Sequence, residues 1–434
     1  MRFIYKKLLK QQGHVLSFGM HDEKNHFDYV INVNHLMESL GSVYKRLQEE
    51  IDLELTHEKI VTLHLSTKIC ININMQEIVW KIMKPFVHWK LQQNTIVVID
   101  HNGNVNDKIA NVINMGNKIQ DARMLAMLPA NLGYPQAMMK DFKKLFKKVA
   151  TKIKIYSETE LKRKGFNLIL SVGQSAKNKP GMIVVERDAK HSGPTICIIG
   201  KGITFDSGGL SIKTRNGMYD MKYDKIGAIY GAYALLHLMQ DSDPRLKNCK
   251  LVGIFPFAEN AVSENSTRPG DVIKSYSGKT VEILNTDAEG RLILADALAY
   301  SKEFAPDLVI DIATLTGFSS LLSCFHSGYF FCESKKLRDL TEKVSYDLGE
   351  RMIPMITWTD TISMLKSDVA DIVNVTRGKC NDSYVAAMFL REFAPKTKWL
   401  HIDLAHEHDH NIPEGQGIQT IIEVVNKYIK EKMT

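Results

Sequence analysis

Thr195-Ile-Cys-Ile-Ile-Gly-Lys201-Gly-Ile-Thr-Phe-Asp206-Ser-Gly-Gly209, continued by Leu-Ser-Ile-Lys213, joins an unbroken apolar run to a glycine-rich turn bearing charged residues. A run without polar alternation reads as a strand buried on both faces, and such strands belong to parallel sheets covered by helices. Further strand-like apolar stretches, some carrying polar residues, occur at Lys152–Tyr156, Leu168–Val172, Met182–Glu186, Leu251–Phe255, Leu308–Ile312 and Trp399–Leu404. Helical patterns lie between several of them, notably Tyr219–Met239 and Arg291–Phe304. The expected fold class is α/β, with a mixed, mostly parallel sheet whose functional residues collect at the C-terminal strand ends.

Upstream, short strand-like runs (Tyr29–Val33, Ile60–Leu65, Thr95–Ile99) alternate with helical stretches such as Leu36–Ile51. His101-Asn-Gly-Asn104 marks a turn, and a helical pattern then runs from about residue 106 until Pro129-Ala-Asn131 breaks it. Two domains are expected: residues 1–125, a smaller α/β domain with a connecting helix from about 106, and residues 126–434, which carry the chemistry.

Composition narrows the class. With 44% hydrophobic and 24% charged residues over 434 positions, the chain can bury a core without staples. Its six cysteines lack CxxC spacing, which predicts reduced thiols rather than disulfides or zinc fingers. Neither a signal-type apolar segment nor a membrane-length run is present, so a soluble, cytoplasmic protein is expected. The net charge of +7 is concentrated partly at Lys140–Lys154, where apolar residues at helical spacing interrupt the lysines. That pattern reads as an amphipathic surface helix with a solvated basic face; nucleic-acid binding would need further clustering, and a membrane partner is not expected.

Three segments carry the candidate chemistry. In the first, glycines let the backbone approach a ligand, and Lys201, Asp206 and Lys213 follow the strand end. Read alone, it is also an ordinary loop. The second, Met218-Tyr-Asp220-Met-Lys-Tyr-Asp224, opens a helical pattern with two carboxylates four apart, which a helix dipole alone would explain. The third, Asn285-Thr-Asp287-Ala-Glu289-Gly-Arg291, puts two carboxylates two apart, so that in extended backbone both face one side roughly 6–7 Å apart. Convergent carboxylates repel unless a cation or proton lies between them. Together Asp206, Asp224, Asp287 and Glu289 suggest a pair of divalent cations, and an oxygen-rich set permits Zn²⁺, Mn²⁺, Mg²⁺ or Co²⁺. A ligating lysine would have to be neutral, which adjacent dications would enforce.

Lys201–Gly209, Met221–Asp224 and Asn285–Leu292 resemble the signature segments of the leucyl (cytosol) aminopeptidase family, of which the chain looks like a divergent member. Arg268–Val272 and Asp311–Gly317 resemble it in the same order, so the likeness spans roughly residues 173–404. The resemblance implies metal-dependent hydrolysis of the N-terminal residue of peptides by a two-metal-activated water. It implies one metal on Lys201, Asp206, Asp224 and Glu289, and a more exchangeable one on Asp206, Asp287 and Glu289. Lys213 would stabilise the tetrahedral transition state. Arg291 would anchor a bicarbonate ion, helped by backbone near Leu315, and that anion would serve as general base. Met221, Asn285, Thr314 and Gly317 match substrate-pocket positions, the substrates being peptides with a free N-terminus, and a homohexamer is implied.

The match is incomplete. Asp403-Leu-Ala-His406-Glu-His-Asp-His410 stands where the family has a glycine followed by small or apolar residues. The three histidines read as a solvated loop, with an extra metal site or a polar pocket as alternatives. The run after Gly317 also departs, and residues 1–125 show no similarity. A catalytically silent scaffold and a peptidase fold with added nucleic-acid binding are the rival functions; a scaffold has no physical need for four convergent carboxylates.

Overall fold

The computed structural model describes four strands ahead of residue 102 by their backbone. It then describes residues 107–317, 328–355, 359–378, 380–404, 408–409 and 412–433. The chain divides into two compact units, Met1–Met124 and Leu125–Thr434. In the first unit, β1 (Arg2–Lys6), β2 (His26–Ile31), β3 (Lys59–Leu65) and β4 (Thr95–His101) form a parallel sheet in the order β1-β4-β3-β2. The helical reading of Leu36–Ile51 lies outside the described residues. The helix Asp107–Ala126 follows β4.

The second unit is built on a nine-stranded sheet. Its first strands are β5 (Lys152–Tyr156), β6 (Gly181–Arg187), β7 (Thr195–Gly200), β8 (Gly202–Asp206) and β9 (Lys250–Asn260). After a separate small sheet come β12 (Leu308–Ala313), β13 (Gly328–Phe331), β14 (Met352–Met355) and β16 (Lys398–Asp403). The order is β14-β13-β16-β12-β7-β9-β6-β5, with β8 also paired to β9. Pairing is parallel through β16, β12, β7 and β9, and antiparallel at β13/β16, β9/β6 and β6/β5. The mixed, mostly parallel sheet is therefore as expected. The small sheet joins β10 (Val272–Lys274), β11 (Thr280–Glu282) and β15 (Ile372–Val373), and leads the chain towards Asp287 and Glu289.

Burial explains the unbroken apolar runs. All six residues of β12 are buried, as are Ile196–Gly200 in β7. Cys197, Ile199, Val252, Ile254 and Val309 form one core with the helices Asn167–Gly173, Gly290–Ser301 and Asp382–Arg391. The intervening Ile198 and Ile312 meet Gly231 on the helix Ile226–Gln240, which is buried at nearly every position and packs beneath Ile418–Lys432. Each face of the sheet thus has its own helical layer. Among the described residues no helix is long and apolar enough to cross a membrane. Cys197, Cys249 and Cys332 are buried free thiols, and Cys380 is an exposed one.

Three local expectations differ from the structure. The run Leu168–Val172 is helical, because Asp296 accepts hydrogen bonds from the amides of Leu168 (2.9 Å) and Ile169 (3.2 Å) and satisfies the first turn. A five-residue apolar run alone fits either element. The pattern Tyr219–Met239 becomes a helix only at Ile226; before it lie a short helix at Arg215–Met218 and a 3₁₀ turn at Met221–Tyr223. Asp220 and Asp224 flank that turn instead of sharing a helix face. Asp287 and Glu289 occupy a turn, with Glu289 at φ −78°, ψ −35°, so their side chains are set by the turn and not by strand alternation. The helical reading Arg291–Phe304 appears as an α-helix over Gly290–Ser301 and a 3₁₀ turn at Lys302–Phe304. Lys140–Lys154 begins as the amphipathic helix Pro135–Phe146, with Met138, Met139, Phe142 and Phe146 buried beneath exposed lysines.

The C-terminal helix is held by a buried carboxylate. Glu350 accepts from the Thr420 amide (2.9 Å), the Thr420 hydroxyl (2.6 Å) and the Gln419 amide (3.3 Å). Replacing it by alanine strands those donors, so Glu350→Ala should lose about 1–3 kcal/mol. Urea unfolding followed by circular dichroism checks this; an unchanged midpoint would contradict it.

Candidate metal centre

The three charged segments meet where β7, β8, β9 and β12 end. Gly208 and Gly209 have φ of +85° and +63°, a region that favours glycine, and they turn the chain after Asp206 so that Lys213 folds back over it. Asp206 accepts from the Gly208 amide (2.9 Å) and from Asn260 Nδ2 (2.8 Å). At the head of the next helix, a Cβ on Gly290 would stand 2.3 Å from Lys201 Cε, so only glycine admits the lysine there.

Four carboxylates and two ammonium groups result. Lys201 Nζ lies 2.6 Å from Asp224 Oδ1 and 3.1 Å from Glu289 Oε1. Lys213 Nζ lies 2.8 Å from Asp206 Oδ2 and 2.6 Å from Asp287 Oδ1. Oxygen atoms of Asp206, Asp224 and Glu289 fall within 4.8 Å of one another, close enough to share an ion. Asp206, Asp224, Glu289 and Lys201 are buried, while Asp287 is partly exposed. Each lysine therefore bridges two carboxylates, a place where a cation is electrostatically required.

The titration behaviour follows. Burial pushes the Asp206 carboxyl well above its usual range, with Glu289 adding repulsion. Burial pushes Asp224 up to about 7 although Lys201 opposes the rise. Burial and Glu289 raise Asp287 against the pull of Lys213. Glu289 goes the other way: burial would raise it, but Lys201 and Lys213 together hold it below its ordinary value. Burial would depress Lys201, yet Asp224, Glu289 and Asp206 keep it above the usual lysine value. Lys213 behaves likewise under Asp206, Glu289 and Asp287. In this arrangement both lysines are cations, so the neutral ligating lysine expected from sequence belongs to a metal-loaded state.

The remaining predicted residues surround this group. Thr314 donates from Oγ1 to Asp224 Oδ1 (2.8 Å), and its carbonyl accepts from Lys201 Nζ (2.7 Å). The Leu315 amide donates to Asp403 Oδ1 (3.0 Å). Asn285 Oδ1 accepts from the Asp287 amide (2.9 Å), shaping the turn that carries both carboxylates. Met221 is half-buried in the 3₁₀ turn before Asp224, and Gly317 is exposed. Arg291 is 2% exposed; Nη1 donates to the Asn374 carbonyl (2.8 Å) and Nη2 to Asp382 Oδ1 (2.9 Å). The side chains of His406, His408 and His410, and the run 318–327, lie outside the described residues.

Four residues that the sequence reading did not assign hold this site from behind. Asn260 Nδ2 ties Asp206 to the Thr286 carbonyl (3.0 Å), and Asn374 accepts from the Leu284 amide (2.8 Å) while donating to the Asn285 carbonyl (2.7 Å). Asp403 fixes the 314–316 turn through Leu315 and through Thr316 Oγ1 (2.6 Å), and Asp382 pairs with Arg291. Asn260 and Asp403 end strands beside the site, a positional signal that could have found them; Asn374 and Asp382 have none in the sequence.

The fold is an α/β sheet with carboxylates clustered at the ends of its parallel strands, three of them close enough to hold a metal ion. Residues 120–422 match the family model described as the cytosol aminopeptidase family, catalytic domain, and the chain belongs to that family. A probable cytosol aminopeptidase of Buchnera aphidicola subsp. Schizaphis graminum is 40% identical over 319 residues, 70% of this chain and 60% of the relative. One from Geobacter sp. (strain M21) is 38% identical over 293 residues, 66% of this chain and 58% of the relative. The chain thus spans about three-fifths of the length of these relatives. Among solved structures, Caenorhabditis elegans leucine aminopeptidase superposes with a TM-score of 0.82 at 24% identity, covering 99% of both chains. Trypanosoma cruzi leucyl aminopeptidase gives 0.79 at 24% identity, covering 89% of this chain and 78% of its own. These two likenesses concern the fold.

Two tests follow from the geometry. Asp224, with its carboxyl near 7, must lose its proton to bind a cation, so apparent metal affinity should fall as pH drops through 7. Titration of the metal-free chain with Zn²⁺ or Mn²⁺ between pH 6 and 8 measures this, and a flat profile would contradict it. Asp403→Ala releases the 314–316 turn that touches Lys201 and Asp224, and should weaken metal binding by about 10–100-fold. Chelator competition reads that loss; Glu350→Ala, in the loop before β14, serves as the stability control.

Proposed function

We propose that this chain is a metal-dependent aminopeptidase that removes the N-terminal residue of peptides, using two divalent cations. The observation that carries the reading is the gathering of Asp206, Asp224, Asp287 and Glu289 from three distant segments around two cation positions. The donor set suits such ions: three carboxylates lie within reach of one another, and Asp224 Oδ2 is buried without a hydrogen-bond partner. Lys201, Asp206, Asp224 and Glu289 would hold one ion, and Asp206, Asp287 and Glu289 the other. Oxygen donors leave Zn²⁺ and Mn²⁺ both suitable, with Mg²⁺ and Co²⁺ as further candidates. Such a pair supplies a water of lowered pKa and a Lewis acid for the scissile carbonyl.

The protein's own groups do the rest. Lys213, on a mobile-length side chain at the partly open edge of the cluster, would donate to the oxygen on which negative charge grows. The 314–316 turn and Asn285 would line the place of the substrate's first residue, with Met221 and Gly317 at its margins. The free α-amine required of the substrate would be recognised among the carboxylates, which explains the preference for chain ends. A soluble bicarbonate on Arg291 fits poorly: Nη1 and Nη2 already meet Asn374 and Asp382, and the Leu315 amide meets Asp403. No step is assigned to it. A homohexameric assembly and a cytoplasmic site of action, the latter in keeping with the names of the relatives, complete the proposal.

A panel of aminoacyl-fluorophores with added Mn²⁺ or Zn²⁺ tests the activity; no turnover on any member would favour the silent scaffold. Lys213→Ala should lower kcat by about 10²–10³ while both metals stay bound. An unchanged kcat would remove Lys213 from the chemistry. Asp287→Ala should leave one metal per chain by elemental analysis, and two retained metals would contradict the ligand assignment.

A further inference from the structure

Arg291 is almost wholly buried; its Nη1 and Nη2 are each engaged by the chain, while Nε is buried without a hydrogen-bond partner. Nη1 is committed to the Asn374 carbonyl at 2.8 Å, and Asn374 in turn clamps the backbone at Leu284 and Asn285. The arginine therefore cannot turn away without disturbing the turn that carries Asp287 and Glu289. Nη2 meets Asp382 Oδ1 at 2.9 Å, an ion pair between a buried cation and a half-exposed carboxylate.

The position of Asp382 is fixed independently of that pair. It is the first residue of the helix Asp382–Arg391, whose cap Asn381 accepts from the Tyr384 amide at 3.1 Å. A carboxylate in a first helical turn is favoured by the helix dipole. Its neighbour Ser383 is 1% exposed and hydrogen-bonded to Thr316 Oγ1, which is itself bonded to Asp403 Oδ2 at 2.6 Å. Ser383 and Asn381 thus hold the backbone on both sides of Asp382, and the carboxylate projects onto the arginine from a built position.

We propose that Asp382 is the resident anion of the Arg291 site, taking the place that the resemblance gives to a soluble bicarbonate, so that catalysis runs without one. The inference rests on the aminopeptidase reading for its kinetic arm only. A group tethered at short range acts at an effective concentration on the order of mM or higher, so a dissolved anion has to exceed that to displace it. The second contact expected for such an anion is also taken, since the Leu315 amide ends on Asp403 Oδ1. An added anion could reach Arg291 Nε, but it would have to share Nη2 and the Leu315 amide with the carboxylates of Asp382 and Asp403, and like charges repel.

Two measurements on the full chain decide this. In the first, [¹³C]bicarbonate is titrated by NMR up to about 1 mM, no higher than the effective concentration of a tethered competitor. The wild type should show no saturable binding, whereas Asp382→Ala should bind bicarbonate, with formate competing. In the second, turnover of an aminoacyl-fluorophore by the metal-loaded chain is followed in CO₂-depleted buffer and after adding bicarbonate. Wild-type kcat should be unchanged by bicarbonate. Asp382→Ala should fall by about 10–100-fold in depleted buffer and recover with bicarbonate or formate but not chloride. Asp382→Asn, which keeps the shape and loses the charge, should fall similarly and guard against a folding defect. Saturable bicarbonate binding by the wild type, wild-type turnover that rises with bicarbonate, or an Asp382→Ala enzyme indistinguishable from wild type would each overturn the proposal. Absence of turnover in every variant would instead remove the aminopeptidase reading, and the binding titration would still decide the role of Asp382.

Discussion

Four carboxylates gathered at one point, three of them out of water, are tolerable only with cations among them, and most of the second unit can be understood as the means of arranging this. Asp206, Asp224 and Glu289 are each buried almost completely, and an unpaired buried charge costs several kcal/mol. Lys201 and Lys213 answer that requirement in the metal-free protein, each bridging two of the acids. The backbone has been shaped to admit them: Gly290 leaves room for the Lys201 stem, and the left-handed turn at Gly208 and Gly209 brings Lys213 back over Asp206. On taking up a cation such a site would have to release protons or move ammonium groups, which would couple ligation to pH.

The acids are aimed by neutral groups one layer out. Asn260 and Asn374 use both ends of their carboxamides, an acceptor to one loop and a donor to another, and so measure the gap between segments. Asp403 does similar work on the 314–316 turn, whose other side touches Lys201 and Asp224. Three loops that arise at different strand ends are thus fixed to one another as well as to the acids. Partners of this kind govern metal affinity nearly as strongly as the ligands do.

What the sequence discloses depends on how locally each feature is determined. Buried parallel strands such as β7 and β12 are nearly all apolar, and they were legible from those runs together with the glycine-rich turn and helical patterns beside them. The run Leu168–Val172 looked the same but is a helix, because the deciding group, Asp296, lies more than a hundred residues away. The grouping of Asp206, Asp224, Asp287 and Glu289 could be inferred because each acid sits in a turn following an apolar element, and unpaired clusters demand a cation. Their local backbone was read less well: Asp287 and Glu289 reach different lysines from a turn, which no period-two argument can describe. Asn374 and Asp382 were invisible, since an asparagine in a loop and an aspartate opening a helix each have an ordinary local explanation, and only the fold reveals Arg291 between them.

Behind the acidic cluster runs a second line of buried charge. Asp311 accepts from Trp399 Nε1 at 2.6 Å and pairs with His401 Nδ1 at 2.6 Å, with both Asp311 and His401 fully buried. Burial would lower the His401 pKa, but Asp311 raises it, and Asp403 adds to the rise while Arg291 opposes it. His401 and Asp403 are two apart on β16, so they lie on one face of the sheet. Two acid–base pairs therefore lie in this part of the fold, Asp311 with His401 and Asp382 with Arg291. The 314–316 turn holds Thr314 against Asp224 on one side and is bonded on the other to Asp403, through the Leu315 amide and Thr316 Oγ1.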